Sequence, residues 1–301
     1  FHYAHLVLLA SEEQPNLDAT IQFLQEISQT KYFEDKPAPK ALLDLRVVDV
    51  LTEKKEYEDA LKLLNEIEKK ITEQTPLEVR SAFHRSQSLL DKARQDYDSF
   101  YQHAFLFLST SKIERDAVVA YDLCIAALFS NAVCSFGELA AHPILSSLEN
   151  GEYAWLRELI LLLDKGDPNS SITEFEKTYL PIIQSQPEFA SHLDTIRLKL
   201  HLAVFLEVIF QRDFGNRTFK FEEIAHYCQI NIDQVELLVL KALSSEIIKG
   251  TIDEVEQKIV VKWCKPKALG RDRLQHLKSQ IDQWIKIVHE QMVALTCKTE
   301  S

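Results

Sequence analysis

Residues 218–263 read TFKFEEIAHYCQINIDQVELLVLKALSSEIIKGTIDEVEQKIVVKW, and the hydrophobic period changes repeatedly along them. Phe219 and Phe221 alternate with Lys220, a period of two that fits one short strand. Ile224, Ala225 and Cys228 then recur on one face of a short helix. Asn231 is placed to cap a second helix, and Gln234 stands three residues on to complete a capping box. Ile230 and Val235 sit where a hydrophobic staple would close around that cap. Val235, Leu238, Val239 and Ala242 make the inward stripe. Beyond Ser244 and Ser245 the period returns to two. Ile248, Gly250 and Ile252 form one arm, Ile259, Val261 and Trp263 the other, with the charged run Asp253–Lys258 between them. Strand, helix, helix and two-stranded ribbon is the order of a winged helix-turn-helix.

A winged helix suggests DNA, and charge decides against it. The would-be recognition helix, Asp233–Leu243, sets Asp233 and Glu236 against a single Lys241. The whole chain has a formal net charge of −12. Binding a phosphate backbone needs Lys and Arg gathered on one face, and the ribbon tip of Asp253, Glu254 and Glu256 would be repelled by it. The module is expected to bind protein.

Working outward, Leu193–Arg212 reads as a long apolar helix (Ile196, Leu200, Val204, Leu206, Val208, Ile209) that joins the module to what precedes it without a flexible linker. The two parts are expected to move as one body. Upstream, residues 1–184 read as paired helices. Punctuation falls at Pro15–Asn16, Lys36–Pro39, Thr75–Pro76, Ser109–Ser111, Asn150–Gly151 and Gly166–Pro168. In one unit Ala41, Leu42, Leu45, Val48 and Leu51 mark a first helix, Lys54–Lys55 the turn, and Tyr57, Ala60, Leu61, Leu64 and Ile67 its partner. Tyr57–Leu61 has the look of a tetratricopeptide second helix, in which a small Ala permits close approach. Pairs begin near Phe1, Lys40, Leu77, Ile113 and Glu152, a period of about 36–40 residues. The alternative is an irregular helical bundle. Either arrangement buries each pair only against its neighbours. Because the chain starts at Phe1, already inside a helical pattern, a preceding N-terminal portion is expected.

Downstream of Pro266 one more helix is expected from Asp272 to Leu295. Leu274, Leu277, Ile281, Trp284, Val288, Met292 and Leu295 follow each other at spacings of three and four, close to a heptad seam. Ile285 and Ile287 widen it. Such a helix either folds back on its own domain or joins helices of other chains, and so apolar a seam favours the second. The fold expected is mainly α: TPR-like helical repeats (1–192), a winged-helix module with its connecting helix (193–265) and a C-terminal bundling helix (266–301).

Composition sets the remaining bounds. Hydrophobic residues are 46% and charged residues 27% of a 301-residue chain with only six glycines and nine prolines, which describes a helical globular protein. No apolar run approaches the roughly 18–20 residues needed to span a bilayer. Cys124, Cys134, Cys228, Cys264 and Cys297 are odd in number and widely spaced, which fits reduced, buried thiols in a cytosolic or nuclear protein. Chemistry is hard to find. His289-Glu290 begins like a zinc-protease motif, but Val293 occupies the second histidine's place. The glycines are too isolated to cradle a phosphate. His2 and His5 share a helical face without a ligand set. His142, ahead of Pro143, reads as an orienting hydrogen-bond group rather than a base. No nucleophile–base constellation is evident, so neither catalysis, cofactor nor metal is expected.

Helical repeats, winged helix and terminal helix in this order resemble the PCI-domain family, scaffold subunits of the proteasome lid, the COP9 signalosome and a translation initiation complex. The wording of Ser135-Phe136-Gly137-Glu138-Leu139 and His142-Pro143-Ile144-Leu145 is similar to the proteasome-lid branch of that family. So is that of Phe221–Ala225, Val235–Val239, Lys241–Leu243 and Lys249–Val255. The resemblance is specific from about Ala117 to Trp263. It implies a non-catalytic subunit of the cytoplasm and nucleus. Its winged helix would pack beside other PCI subunits, and its last helix would join a bundle with theirs and with those of MPN-domain subunits, including the deubiquitinase pair. The acidic winged helix leaves the strand Ile259–Trp263, or its neighbour, free as an edge for a partner. The contacts expected are therefore Ile259, Val261 and Trp263 on the ribbon, and Leu274, Leu277, Ile281, Trp284, Val288 and Met292 on the terminal helix.

Overall fold

A computed structural model of the chain describes residues 2–12, 16–30, 33, 36–72, 74–111, 115–212, 217–266, 278, 281–282, 284–286 and 288–289. Helical units begin at residues 2, 37, 77, 117 and 154, close to the spacing read from the sequence. The first three are regular hairpins: α1 (His2–Glu12) with α2 (Leu17–Ser28), α3 (Pro37–Glu53) with α4 (Tyr57–Glu68), and α5 (Leu77–Arg94) with α6 (Tyr97–Thr110). Pro37 and Pro39 fall in the first turn of α3, where a missing N–H leaves no helical bond unmade. Lys54 caps α3 and Lys55 turns the chain with φ 66°. Ala60 is fully buried and packs in one cluster with Leu45 and Val48 of α3, as the tetratricopeptide-like wording requires. His103 Nδ1 lies 2.6 Å from Asp91 Oδ2 and bridges α5 to α6.

The later units depart from the hairpin plan. The partner of α7 (Ala117–Phe129) is the short α8 (Gly137–Ala141) followed by a 3₁₀ turn, Pro143–Leu148. The partner of α9 (Ala154–Lys165) is broken into α10 (Ser171–Glu174), a π turn at Phe175–Tyr179 and α11 (Leu180–Ser185). Pro181 has no N–H to return to the carbonyl of Lys177, and the helix widens into the π turn just before it. After α12 (Pro187–Ala190) comes α13 (Leu193–Gln211). The winged-helix segment then runs β1 (Thr218–Lys220), α14 (Phe221–Cys228), α15 (Ile232–Ser244), β2 (Ile248–Asp253) and β3 (Lys258–Cys264).

Helix α13 is the spine. From Leu202 to Phe210 it is apolar but for Glu207, the pattern of a helix buried on most sides. It touches α7, α9 and α10 among the repeats and α14, α15 and β3 in the winged helix. Phe205 on α13 meets Phe219 on β1 edge-on at 6.3 Å between ring centroids, and both are buried. A single hydrophobic cluster consequently runs from Phe100 to Cys264, whereas the first hairpins hold smaller clusters of their own. Gly166 ends α9 in the left-handed region (φ 59°), and a Cβ there would lie 2.6 Å from the carbonyl oxygen of Ala203. Only glycine allows α9 to end this close to α13.

Lys199 is the polar exception on that spine. Its side chain is buried, and Nζ donates to the carbonyl of Ala127 at 2.5 Å, in the last turn of α7, where the helix dipole favours a cation. Nζ also stands 5.7 Å from the Phe136 ring centre. Burial pushes its pKa down to about 8, against the pull of Cys134 and Asp98. The unfolded chain, with a lysine near 10.5, therefore binds more protons than the folded one between those two values. The penalty of the buried charge is full below pH 8 and is relieved as pH rises towards 10.5. Relative to Lys199→Met, the wild-type chain should gain about 2 kcal/mol of unfolding free energy from pH 7.5 to 9.5. Urea titrations of both proteins at the two pH values check this, and a pH-independent difference would show that the ammonium is not held in that pocket.

Candidate protein-interaction surface

His142 Nδ1 accepts a hydrogen bond from the Ile144 N–H at 3.2 Å and caps the 3₁₀ turn, the orienting part expected of it. Burial lowers its pKa. Cys124, Cys134, Cys228 and Cys264 are buried, and desolvation pushes the thiols of Cys124 and Cys228 up to about 12. Such thiols stay protonated and unreactive near neutrality. Among the described residues no cluster of His, Cys, Asp and Glu is placed to hold a metal, and no helix is long and apolar enough to cross a membrane.

The two helices of the winged helix are built as their wording predicts, with one shift at the start: Phe221 opens α14 instead of continuing β1. Gln229 turns the chain in the left-handed region at φ 51°, and the Ile230 N–H donates back to the Ala225 carbonyl at 3.1 Å. The Asn231 N–H then donates to Gln234 Oε1 at 3.3 Å, the returning half of the capping box. Arg212 stacks 4.3 Å from the Phe219 ring centre, donates to the Thr218 carbonyl at 2.7 Å and pairs with Glu223, which pins β1 to the helices.

Two expectations about the ribbon need correction. The strand order is β1-β3-β2, all antiparallel, so the strand holding Ile259–Trp263 is central and not an edge. The three-residue β1 pairs with Lys258–Val260, and the Val261 N–H donates to the Arg217 carbonyl. Among the described residues the long unpaired edge belongs to the neighbour, β2. Second, Ile259, Val261 and Trp263 do not share a face. Lys249 pairs with Trp263 and Gly250 with Val261, leaving Lys262 as the extra residue of a bulge in β3. The bulge reverses the alternation. Ile259 and Val261 are buried in the core, while Trp263 is 43% exposed on the outer face, with Lys249 Nζ 5.4 Å from its ring centre. Ile259 and Val261 thus build the core, and Trp263 alone of the three presents its side chain.

Gly250 holds that bulge. A Cβ on it would lie 2.4 Å from the Val260 carbonyl oxygen and 3.3 Å from the Val261 Cα. Gly250→Ala should part the strands and destabilise the chain by about 2 kcal/mol, measured as a lower urea midpoint. An unchanged midpoint would mean that the bulge geometry is relaxed easily.

A second surface escaped the sequence reading. The outer face of α15 exposes Ile232 (43%), Leu237 (67%) and Leu240 (47%), with Asp233 and Glu236 among them. The inward stripe of Val235, Leu238, Val239 and Ala242 is buried as expected. The available signal was an excess: α15 carries more apolar side chains than one core-facing stripe needs. On the terminal helix, described positions from 278 to 289 are helical, and Ile281, Trp284, Ile285 and Val288 are exposed. Leu274, Leu277 and Met292, expected on the same seam, lie outside the described residues.

Comparison with known proteins gives this architecture a family. The PSD13 N-terminal repeats match residues 1–160, and the PCI domain matches residues 177–263. The 26S proteasome non-ATPase regulatory subunit 13 homolog B of Arabidopsis thaliana is 26% identical over 306 residues, covering 98% of this chain and 79% of that protein. The 26S proteasome non-ATPase regulatory subunit 13 of Dictyostelium discoideum is 29% identical, covering 92% of this chain and 74% of its own length. The COP9 signalosome complex subunit 7a of Pongo abelii matches more weakly, at 22% identity over 59% of the chain. Repeats, spine helix and winged helix match in a single order, and the chain belongs to the PSD13 family, with a PCI domain at its C-terminal side.

Proposed function

We propose that this chain is a non-catalytic scaffold subunit of the 26S proteasome regulatory-particle lid, assembled in the cytoplasm and nucleus and serving ubiquitin-dependent degradation. In this reading residues 1–192 are the repeat arm, 193–265 the winged-helix module and 266–301 the bundling helix. The observation that carries it is the pair of dissimilar surfaces on one acidic winged helix: the β2 edge beside Trp263, and the Ile232–Leu237–Leu240 face of α15. Two different surfaces on one module suit side-by-side packing with a different neighbour on each side. The exposed Ile281, Trp284 and Val288 suit insertion among foreign helices. Neighbouring PCI subunits and MPN-domain subunits, the deubiquitinase pair among them, are the partners this geometry fits.

The test is affinity purification from cells of Leu237→Asp with Leu240→Asp, and separately of Trp263→Asp. Each should lose one PCI neighbour while keeping its melting temperature. Full recovery of all neighbours with both variants would remove the winged-helix faces from the proposal. A chain of this charge should also fail to shift a generic DNA duplex at physiological salt.

A further inference from the structure

The second and third hairpins enclose a groove that the lid reading does not use. Its walls are the start of α3, the end of α4 with Ile71, and the start of α5. The turn between α4 and α5 is held shut: the Thr72 N–H donates to Thr75 Oγ1 and the Thr75 N–H to the Thr72 carbonyl, both at 2.9 Å. A cavity of about 420 Å³ lies here, and a second of about 440 Å³ adjoins it across Ile71 and Thr72, reaching Arg80 and Phe83. Ile67, Val79 and Phe83 form a buried apolar floor.

The rim has the opposite sign to the molecule. Lys40, Lys70 and Arg80 line the groove of a chain with net charge −12. Among the described residues none of the three makes an ion pair closer than 4.0 Å, although several other lysines do. The acids of the lining are Asp44 and Glu68. Asp44 is partly desolvated, which raises its pKa even though Lys40 and Lys70 both pull it down.

We propose that this groove docks an acidic, extended peptide segment of a partner protein, with carboxylates on Lys40, Lys70 and Arg80 and one apolar side chain on the floor. Charge complementarity chooses the acid. Size chooses the extended form, because cavities of this volume take one or two side chains and not a helix about 10 Å across. Long-range attraction between such a strip and an acidic segment is screened by salt.

Fluorescence polarisation tests it, with a fluorescein-labelled decapeptide of glutamates carrying two leucines and the whole chain as receptor. Binding is expected near about 50 μM at low salt. It should weaken at least ~tenfold for Lys40→Glu with Lys70→Glu, and equally for a peptide whose glutamates are replaced by glutamine. Lys40→Arg with Lys70→Arg should retain it. Both sites are on the surface, and an unchanged melting temperature confirms that the variants fold. Equal affinity for the charge-reversed variant, equal affinity for the glutamine peptide, or no binding at about 1 mM would overturn the proposal. Because the assay contains no lid subunits, it fails or succeeds independently of the lid reading.

Discussion

Aspartate at both Ile281 and Trp284 should exclude the chain from its complex while leaving its own fold intact. Both side chains are exposed, at 47% and 69%, so in the isolated chain the charges stay in water. Unfolding free energy should move by less than about 0.5 kcal/mol, the range of surface substitutions. In a bundle the same positions become core. An unpaired carboxylate buried there costs several kcal/mol, and two should reduce co-purification of partner subunits at least ~100-fold. Tagged wild type and double variant, compared by quantitative mass spectrometry at equal expression, check the result. Unchanged recovery would mean that the terminal helix lies outside the assembly contact.

Phe219→Ala should give the largest loss of folding stability, about 3–5 kcal/mol, as expected for truncating a fully buried aromatic side chain. Three contacts are lost together: the edge-on ring of Phe205, the stacked Arg212 guanidinium and the core under β1. More telling is where the loss appears. The core runs unbroken from Phe100 to Cys264 through α13, so the C-terminal repeats and the winged helix should lose protection together. Hydrogen exchange followed by mass spectrometry reads this directly. The amides of α9 and α13 should exchange faster along with those of α15. Loss confined to residues 218–264 would contradict a shared core.

Local chemistry was legible in the sequence, and non-local pairing was not. Asn231 with Gln234, the turn at Lys54–Lys55 and the orienting hydrogen bond of His142 each depend on neighbours within a few residues. The inward stripe of α15 followed from its period alone. Strand order is another matter. Nothing within Ile259–Trp263 says that β1, some forty positions upstream, pairs with it and makes it the central strand. The bulge at Lys262 was hidden for a related reason. It shows only when Lys249 and Gly250 are set against Trp263 and Val261, and it turns Trp263 away from Ile259. Without the bulge, strict alternation would have buried the tryptophan. Leu237 and Leu240 were overlooked because one apolar stripe already explained α15, although the stripe left them unaccounted for. Finding an interface from sequence requires counting what the core does not need.

The most direct measurement is affinity purification of the wild-type chain, tagged at its N-terminus, from native extract, with the bound proteins identified by mass spectrometry. The account predicts recovery of proteasome regulatory-particle subunits, the PCI and MPN-domain subunits of the lid foremost, and their loss when the chain is cut after Lys267. Recovery of signalosome or initiation-complex subunits in their place, or of no assembly at all, would contradict it.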